Sequence, residues 1–114
     1  VTMRRGTRLA IYLRDGLLCL YCLRDLHGAD PRDITLDHVI AHADGGTHAA
    51  SNLITACRAC NCSRQDLTLA FFAGRETRSH IRRNCKRALA PYRRLATAIL
   101  DGTMDQGDVL AEMR

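Results

Sequence analysis

Residues 57–61 read Cys57-Arg58-Ala59-Cys60-Asn61, and the same CxxC spacing occurs earlier in the chain at Cys19 and Cys22. Two such pairs supply four thiolates, which is a ligand set that Zn²⁺ prefers in closed, tetrahedral structural sites. The segment between the pairs, residues 23–56, is longer than the usual zinc-ribbon spacing, so we expect a folded insertion there rather than a simple hairpin. The cysteines therefore predict a structural zinc ion that joins the two ends of this insertion.

Other interpretations of the cysteines stay open. A redox-active CxxC would require a βαβ context, which the sequence does not show, and four ordinary buried cysteines would require no metal. Two further cysteines lie outside the pairs. Cys85 falls on an apolar stripe and is expected in the core, whereas Cys62 is either an inert neighbour or a competing zinc ligand.

Length and composition exclude several classes of protein. A chain of 114 residues is the size of one domain, which we expect to span 1–114, and its longest apolar run, residues 17–23, is too short to cross a bilayer. Aromatic residues make up only 4% and Trp is absent, so the core must be built from Leu, Ile and Ala with help from the cysteines. Residues 1–6 contain no apolar segment of a secretory signal, which favours a cytoplasmic location and metal binding over disulfides.

The charge of the chain is unevenly distributed. The whole sequence has a net charge of +5, and residues 58–94 contain ten Lys or Arg against two acidic residues. A basic face of this kind favours a polyanionic partner, although a merely solvated face is the alternative. The residues expected on that face are Arg82, Arg83, Lys86 and Arg87.

Hydrophobic periodicity predicts helices and strands in the first half of the chain. Residues 4–15 place their apolar side chains on one face of a helix, which the Asp15-Gly16 pair ends. Apolar residues 17–22 and β-branched residues 34–40 predict two strands around a turn-rich loop. The other elements expected here are a tight turn at 44–46, a short helix from 51 to about 55 and another after residue 60.

From Thr68 onward the sequence is typical of helices. Pro91 is expected to begin a new helix, and a last helix is predicted from about Asp105, with Thr103 and Gln106 in capping-box register. An apolar stripe runs opposite the basic face, at Ile81, Cys85, Ala88, Tyr92, Leu95 and Ile99. This stripe either packs on the N-terminal helix or leaves a surface for a second copy, so a monomer and a homodimer are both open.

The insertion and its borders contain four short motifs in a fixed order. They are Asp37-His38, Gly45-Gly46, Asn52-Leu53 and Cys60-Asn61, preceded by a helix that ends in Arg14-Asp15-Gly16. With these motifs, the segment from about Leu9 to Arg64 resembles the HNH endonucleases of the ββα-metal class, in their four-cysteine zinc subtype. The resemblance implies an α+β fold with a ββα-metal core at about 9–66, stapled by the zinc site, together with an N-terminal helix and a helical extension at about 67–114.

The resemblance also implies roles for individual residues. His38 aligns with the general base that deprotonates the attacking water, and Asp37 and Asn61 align with ligands of a catalytic divalent cation. Asn52 matches the residue that holds the loop between strand and helix. Arg64 stands where a Lys is frequent, and a phosphate contact by its planar guanidinium is expected.

Some positions depart from the family pattern or lack its support. Ala41 replaces a common Pro and Leu23 a common Gly, but neither change removes a reacting group. Successive residues of a strand point to opposite faces, which would separate Asp37 from His38. The remaining histidines lack support from the family pattern: His27, His42, His48 and His80. His42 and His48 flank the Gly-Gly turn, and we expect exposed loop residues there rather than contacts with a substrate backbone.

The chemistry of these residues also favours hydrolysis of DNA. Phosphodiester cleavage needs neutralisation of negative charge, which a hard cation on oxygen ligands supplies, and a neutral imidazole is a suitable base for water. We therefore expect an endonuclease that nicks DNA, with structural Zn²⁺ and a catalytic Mg²⁺, Mn²⁺ or similar cation. The alternatives are a non-catalytic zinc-knuckle module that binds nucleic acid and a zinc-stabilised module that binds a protein partner. A recognition site and a biological context, whether phage, mobile element or restriction system, are not predicted.

Overall fold

The computed structural model describes residues 4–102, and this part of the chain contains five α-helices and two β-strands. The elements are α1 (Arg5–Arg14), β1 (Ile34–His38), β2 (Leu53–Cys57), α2 (Arg58–Arg64), α3 (Leu69–Phe72), α4 (Arg75–Cys85) and α5 (Ala90–Leu100). Single 3₁₀ turns lie at Pro31–Asp33, His42–Asp44 and Ala50–Asn52. Helices combined with a small antiparallel sheet confirm the predicted α+β fold class.

The two strands form an antiparallel hairpin that leads directly into α2. In its register Asp37 lies opposite Ile54, and His38 lies opposite Leu53. Every residue of β2 is buried, whereas most of β1 is only half-buried. The hairpin and α2 together make a ββα unit in which β1 is the more accessible strand.

The strand predicted at residues 17–22 is wrong. This segment forms a tight knuckle in which Leu17 and Leu23 adopt left-handed backbone angles, with φ of 53° and 64°. Leu18 forms an isolated bridge with Asp25 rather than part of the sheet. Leu17, Cys19 and Leu20 are buried in this knuckle, and Leu20 packs with Ile54 and Ile81. The apolar run therefore resembles that of a buried strand.

The helix predicted at residues 51–55 is also wrong. The chain makes one 3₁₀ turn at Ala50–Asn52 and then enters β2 at Leu53. Ile54 and Thr55 are β-branched and fully buried, and their pairing with β1 outweighs the helix-capping signal of Ser51.

A buried ion pair joins the helical part of the protein to the hairpin. Arg14 at the end of α1 donates to the carbonyl oxygens of Ala50 and Leu53, at 2.9 and 2.6 Å, and pairs with Asp15. The Asp15 carboxylate in turn accepts hydrogen bonds from the backbone of Thr55 and the side chain of Asn84. Because both charges are buried and fully hydrogen-bonded, this pair fixes α1, β2 and α4 in one arrangement.

The apolar stripe of the C-terminal half is divided between two packing sites. Ile81 packs beneath the hairpin, whereas Tyr92 and Leu95 pack against α1, the simpler of the two expected arrangements. Pro91 lies in the first turn of α5, as predicted. Ala88 is exposed because α4 ends before it, so this member of the predicted stripe joins neither packing site.

Some expectations fall at or beyond the ends of the described part. The helix predicted from about Asp105, with its capping residues Thr103 and Gln106, lies outside the described residues. Between residues 4 and 102, no helix has the length and apolar character needed to cross a membrane.

Candidate active site and metal centre

The four cysteines of the two CxxC pairs come together at one end of the hairpin. Their sulfur atoms all lie within 4.8 Å of one another. In each pair the sulfur of the first cysteine accepts a hydrogen bond from the backbone N–H of the second, at 3.5 Å for Cys19 and 3.4 Å for Cys57. Four convergent thiols supported in this way fit a tetrahedral Zn²⁺ site. Cys62, which was left open as a competing ligand, is exposed and lies outside this cluster.

His38 is held at the exposed end of β1 by another histidine. Its Nε2 atom lies 2.9 Å from Nδ1 of His48, and the two rings meet edge to face. His42 stacks on the other side of His48, with ring centroids 5.4 Å apart. Burial, followed by the neighbouring His48, lowers the pKa of His38, which favours the neutral imidazole. His42 and His48 are exposed loop residues as expected, but the loop brings them to the predicted base.

The loop that carries these histidines is closed by Asn52. The Asn52 side chain is buried, accepts a hydrogen bond from the backbone N–H of Ile40 at 2.9 Å, and donates to the carbonyl oxygens of Ile40 and Thr47. Gly46 is needed for the same closure, because a Cβ atom there would lie 1.8 Å from the Ile40 carbonyl oxygen. Gly45 has a left-handed φ of 90°, a conformation that glycine adopts without strain. The geometry of the turn therefore requires glycine at both positions of the Gly-Gly pair.

Asp37 points to the opposite side of β1 from His38. Its Oδ2 atom accepts hydrogen bonds from the Tyr21 hydroxyl at 2.5 Å and from Nη1 of Arg64 at 3.0 Å. Its Oδ1 atom accepts no hydrogen bond from any of residues 4–102, and the side chain keeps 11% of its surface exposed. The carboxylate is therefore held through one of its two oxygens.

Asn61 is positioned on α2 against β1. Its Nδ2 atom donates to Oγ1 of Thr35 at 3.0 Å and to the carbonyl oxygen of Leu36 at 3.2 Å. Because both donated bonds come from the amide nitrogen, the amide oxygen is left without a partner among the described residues. Asn61 and Asp37 thus each offer one oxygen, the ligand atom that hard divalent cations prefer.

Arg64 does not fit the expected phosphate contact. Only 2% of the residue is exposed, and its guanidinium pairs with Asp37 and donates to the backbone oxygens of His38, Val39 and Leu67. Arg64 is the last residue of α2, and its side chain reaches the carbonyl oxygens at the end of β1. Its planar fork serves the fold of the site rather than a phosphate outside it.

Residues 19–66 match the family model of the HNH endonucleases. This segment is similar to an HNH endonuclease domain and is called the HNH domain below. The matched segment contains both cysteine pairs, the whole hairpin and α2, which confirms the family predicted from the sequence and supports a nuclease-type function. Neither the curated proteins nor the solved structures contain a significant match to the chain.

Two residues of the HNH domain close to the predicted site were missed by sequence reasoning. Tyr21 lies inside the first CxxC pair, far in sequence from the carboxylate that it contacts, so no local pattern indicates its role. His48 follows the Gly-Gly turn by two residues. Its position in a closed loop that begins directly after His38 was the available signal, but the direction of its side chain could not be read from the sequence.

The four basic residues expected on one face are divided between two grooves beside the HNH domain. Arg82, Lys86 and Arg87 line a groove of about 580 Å³ together with Val39, the residue after His38. Arg83 lines a different groove. That second groove includes Leu20 and Leu23 of the first knuckle. Three of the four positive charges therefore lie along a path that begins next to the end of β1.

Proposed function

We propose that this HNH domain is a metal-dependent endonuclease that hydrolyses phosphodiester bonds of DNA one strand at a time. The observation that carries the proposal is the contrast between the two neighbours at the end of β1. His38 presents an imidazole held by His48, and Asp37 is held through only one of its carboxylate oxygens. The amide of Asn61 is anchored on the same strand by its nitrogen, through Thr35 and Leu36. A base and a cation-binding pair flanking one strand end suit attack of water on a phosphodiester.

The hydrogen bond to His48 gives His38 a defined role. When Nε2 of His38 carries the proton and donates to Nδ1 of His48, the lone pair on Nδ1 of His38 is left to accept a proton from water. His48 therefore favours the tautomer of neutral His38 that can accept a proton from water.

Asp37 and Asn61 would hold the catalytic cation. Both ligands are oxygen atoms, which suits Mg²⁺ or Mn²⁺ better than softer metals. The bound cation would neutralise charge on the phosphate and the leaving oxygen. Within the protein, Arg64 and Tyr21 hold the carboxylate, and β1 accepts the donated bonds of Asn61.

The zinc site and the basic groove complete the proposed function. Structural Zn²⁺ on the four cysteines would fix the hairpin end that α2 follows. The groove lined by Arg82, Lys86 and Arg87 lies beside β1, and we propose that it receives the phosphate backbone of the substrate. The chain contains one Asp37-His38 motif, and α1 covers the apolar face of α5, so a monomer that nicks is the simplest arrangement.

Incubation of supercoiled plasmid with zinc-loaded protein and a panel of divalent cations tests this function. Accumulation of open circles before linear DNA, in the presence of Mg²⁺ or Mn²⁺, is the expected result. DNA binding without any cleavage across the panel would instead establish a non-catalytic nucleic-acid-binding module. Linear DNA from the outset would show that two active sites act together, as in a dimer.

A further inference from the structure

The first zinc knuckle and the predicted cation ligand are in direct contact through Tyr21. Tyr21 lies between Cys19 and Cys22, and its hydroxyl donates to Oδ2 of Asp37 at 2.5 Å. The same hydroxyl accepts a hydrogen bond from Nη1 of Arg64 at 2.7 Å. The phenol therefore fills the space between a knuckle that holds zinc and a strand that holds the carboxylate.

The position of the phenol is fixed from several sides. Its ring packs edge to face on Phe72 of α3, with centroids 5.1 Å apart, and contributes to the clusters around Cys19 and around Ile54. A ring held by the knuckle, by α3 and by the hairpin has little freedom to turn. Its hydroxyl consequently marks one fixed point against which the carboxylate of Asp37 must align.

Tyr21 and Arg64 both donate to Oδ2 of Asp37, and this leaves Oδ1 without a donor among the described residues. Arg64 alone could pair with Asp37 through both oxygens, because a guanidinium fork matches a carboxylate in a bidentate arrangement. Here Arg64 uses its remaining donors on backbone oxygens of His38 and Val39, and the Tyr21 hydroxyl takes the second place on Oδ2. Oδ1 is thereby kept out of the ion pair.

We propose that Tyr21 is a positioning residue for the catalytic cation, which holds Asp37 so that Oδ1 stays available as a ligand, and that the structural zinc knuckle holds Tyr21. This proposal rests on the proposed nuclease function, because it assigns a partner to the cation ligand. The zinc site would then contribute to binding of the catalytic cation as well as to the stability of the fold. Outer partners of metal ligands commonly change metal affinity by about 10- to 100-fold when they are removed.

The Tyr21→Phe variant tests the proposal, since it removes only the hydroxyl. Binding of Mn²⁺ to zinc-loaded protein is measured by electron paramagnetic resonance of the free ion, and nicking is measured across a Mn²⁺ series. We expect Mn²⁺ binding to weaken by about 10-fold or more, and the nicking rate to recover towards that of the unmodified protein at saturating Mn²⁺. Zinc content is expected to stay at the level of the unmodified protein.

Tyr12→Phe is the matched control. Tyr12 is a buried tyrosine whose hydroxyl donates to the carbonyl oxygen of Ile34 at 3.4 Å and not to Asp37. Its loss is expected to leave Mn²⁺ binding unchanged. Phe72→Leu serves as a second variant that keeps the Tyr21 hydroxyl and removes its ring contact, and a smaller loss of Mn²⁺ affinity is expected.

The possible outcomes separate this proposal from the proposed function. If Tyr21→Phe binds Mn²⁺ as tightly as the unmodified protein, while Asp37→Asn does not, Tyr21 has no positioning role and the nuclease assignment stands. If Tyr21→Phe loses zinc or fails to fold, unchanged Mn²⁺ binding in Phe72→Leu overturns the proposal. If the unmodified protein neither binds Mn²⁺ nor cuts DNA, the proposed function itself is wrong.

Discussion

Asp37 and His38, adjacent in β1, face opposite sides of the hairpin. The Asp37 carboxylate turns inward to Tyr21 and Arg64, and the His38 imidazole turns outward to His48. The alternation of side chains along a strand, which made the pair difficult to reconcile from the sequence, is therefore how the site is built. A phosphate bound at the end of β1 would have the base on one side and the cation ligands on the other.

The contact between His38 and His48 predicts a loss of rate without a loss of DNA binding. His48→Ala is expected to slow single-turnover nicking by about 10- to 100-fold, because the hydrogen bond that selects the reactive tautomer of the base is lost. His48→Asn should restore part of the rate, since an asparagine side chain places a polar atom near the position of Nδ1.

His42→Ala is the control for this prediction. His42 stacks on His48 but makes no hydrogen bond to His38, so a small effect is expected. In a His38→Ala background, removal of His48 should cost nothing further, because the two residues act as a unit. An additive loss in the double variant would show that His48 acts on something other than the base.

The basic groove predicts a specific change in salt dependence. Replacing Arg82, Lys86 and Arg87 together by Gln should reduce the slope of log affinity against log salt by about two to three units, if each contacts one phosphate. Arg83→Gln, on the other groove, should leave the slope nearly unchanged. Titration of labelled duplex DNA at several salt concentrations measures both, and an equal effect of the two replacements would argue against the groove as the phosphate path.

The first knuckle contains a residue whose replacement should stabilise the protein. Leu23 has a left-handed φ of 64°, and 58% of it is exposed, so it gains little from burial. Leu23→Gly is expected to raise the free energy of unfolding by about 0.5–1 kcal/mol, because only glycine adopts this conformation without strain. Urea denaturation at a fixed free zinc concentration measures the change. Leu23→Ala keeps the Cβ atom and should not be stabilised.

Replacement of two neighbouring cysteines, Cys60 and Cys62, should affect zinc binding differently. Cys60→Ser removes a member of the four-sulfur cluster and should abolish tight binding of about one Zn²⁺ per chain, together with a binding free energy on the order of 10 kcal/mol. Cys62→Ser, two residues away, should keep the full zinc content. Elemental analysis of the folded proteins measures the zinc content of both variants. Equal zinc loss in the two would contradict the assignment of the four CxxC cysteines as the zinc ligands.

The sequence predicted those parts of the protein that have local signals. Three features depend on residues close together in the chain, and all are present in the structure: the CxxC pairs, the helix before Asp15 and a new helix with Pro91 in its first turn. The elements at 17–22 and 51–55 were mistaken because short apolar runs are similar in knuckles, strands and helix starts.

The inner half of the site could not be predicted for a different reason. Tyr21, Asp37 and Arg64 meet only after the knuckle, the hairpin and α2 have packed together. In the sequence, Arg64 is one more basic residue near the motif, which is why a phosphate contact was expected. Its burial depends on this packing and could not be read from the sequence. The outer half, with His48 next to His38, depends likewise on how Asn52 closes the loop.

The most direct test of the central claim compares the unmodified protein with His38→Ala in single-turnover nicking of supercoiled plasmid, at saturating Mg²⁺ or Mn²⁺. Zinc content and DNA affinity are measured on the same samples. The account predicts a rate lower by about two to four orders of magnitude in the variant, with zinc and affinity unchanged, because the base acts only on water in the transition state. Nicking by His38→Ala at the rate of the unmodified protein would contradict it.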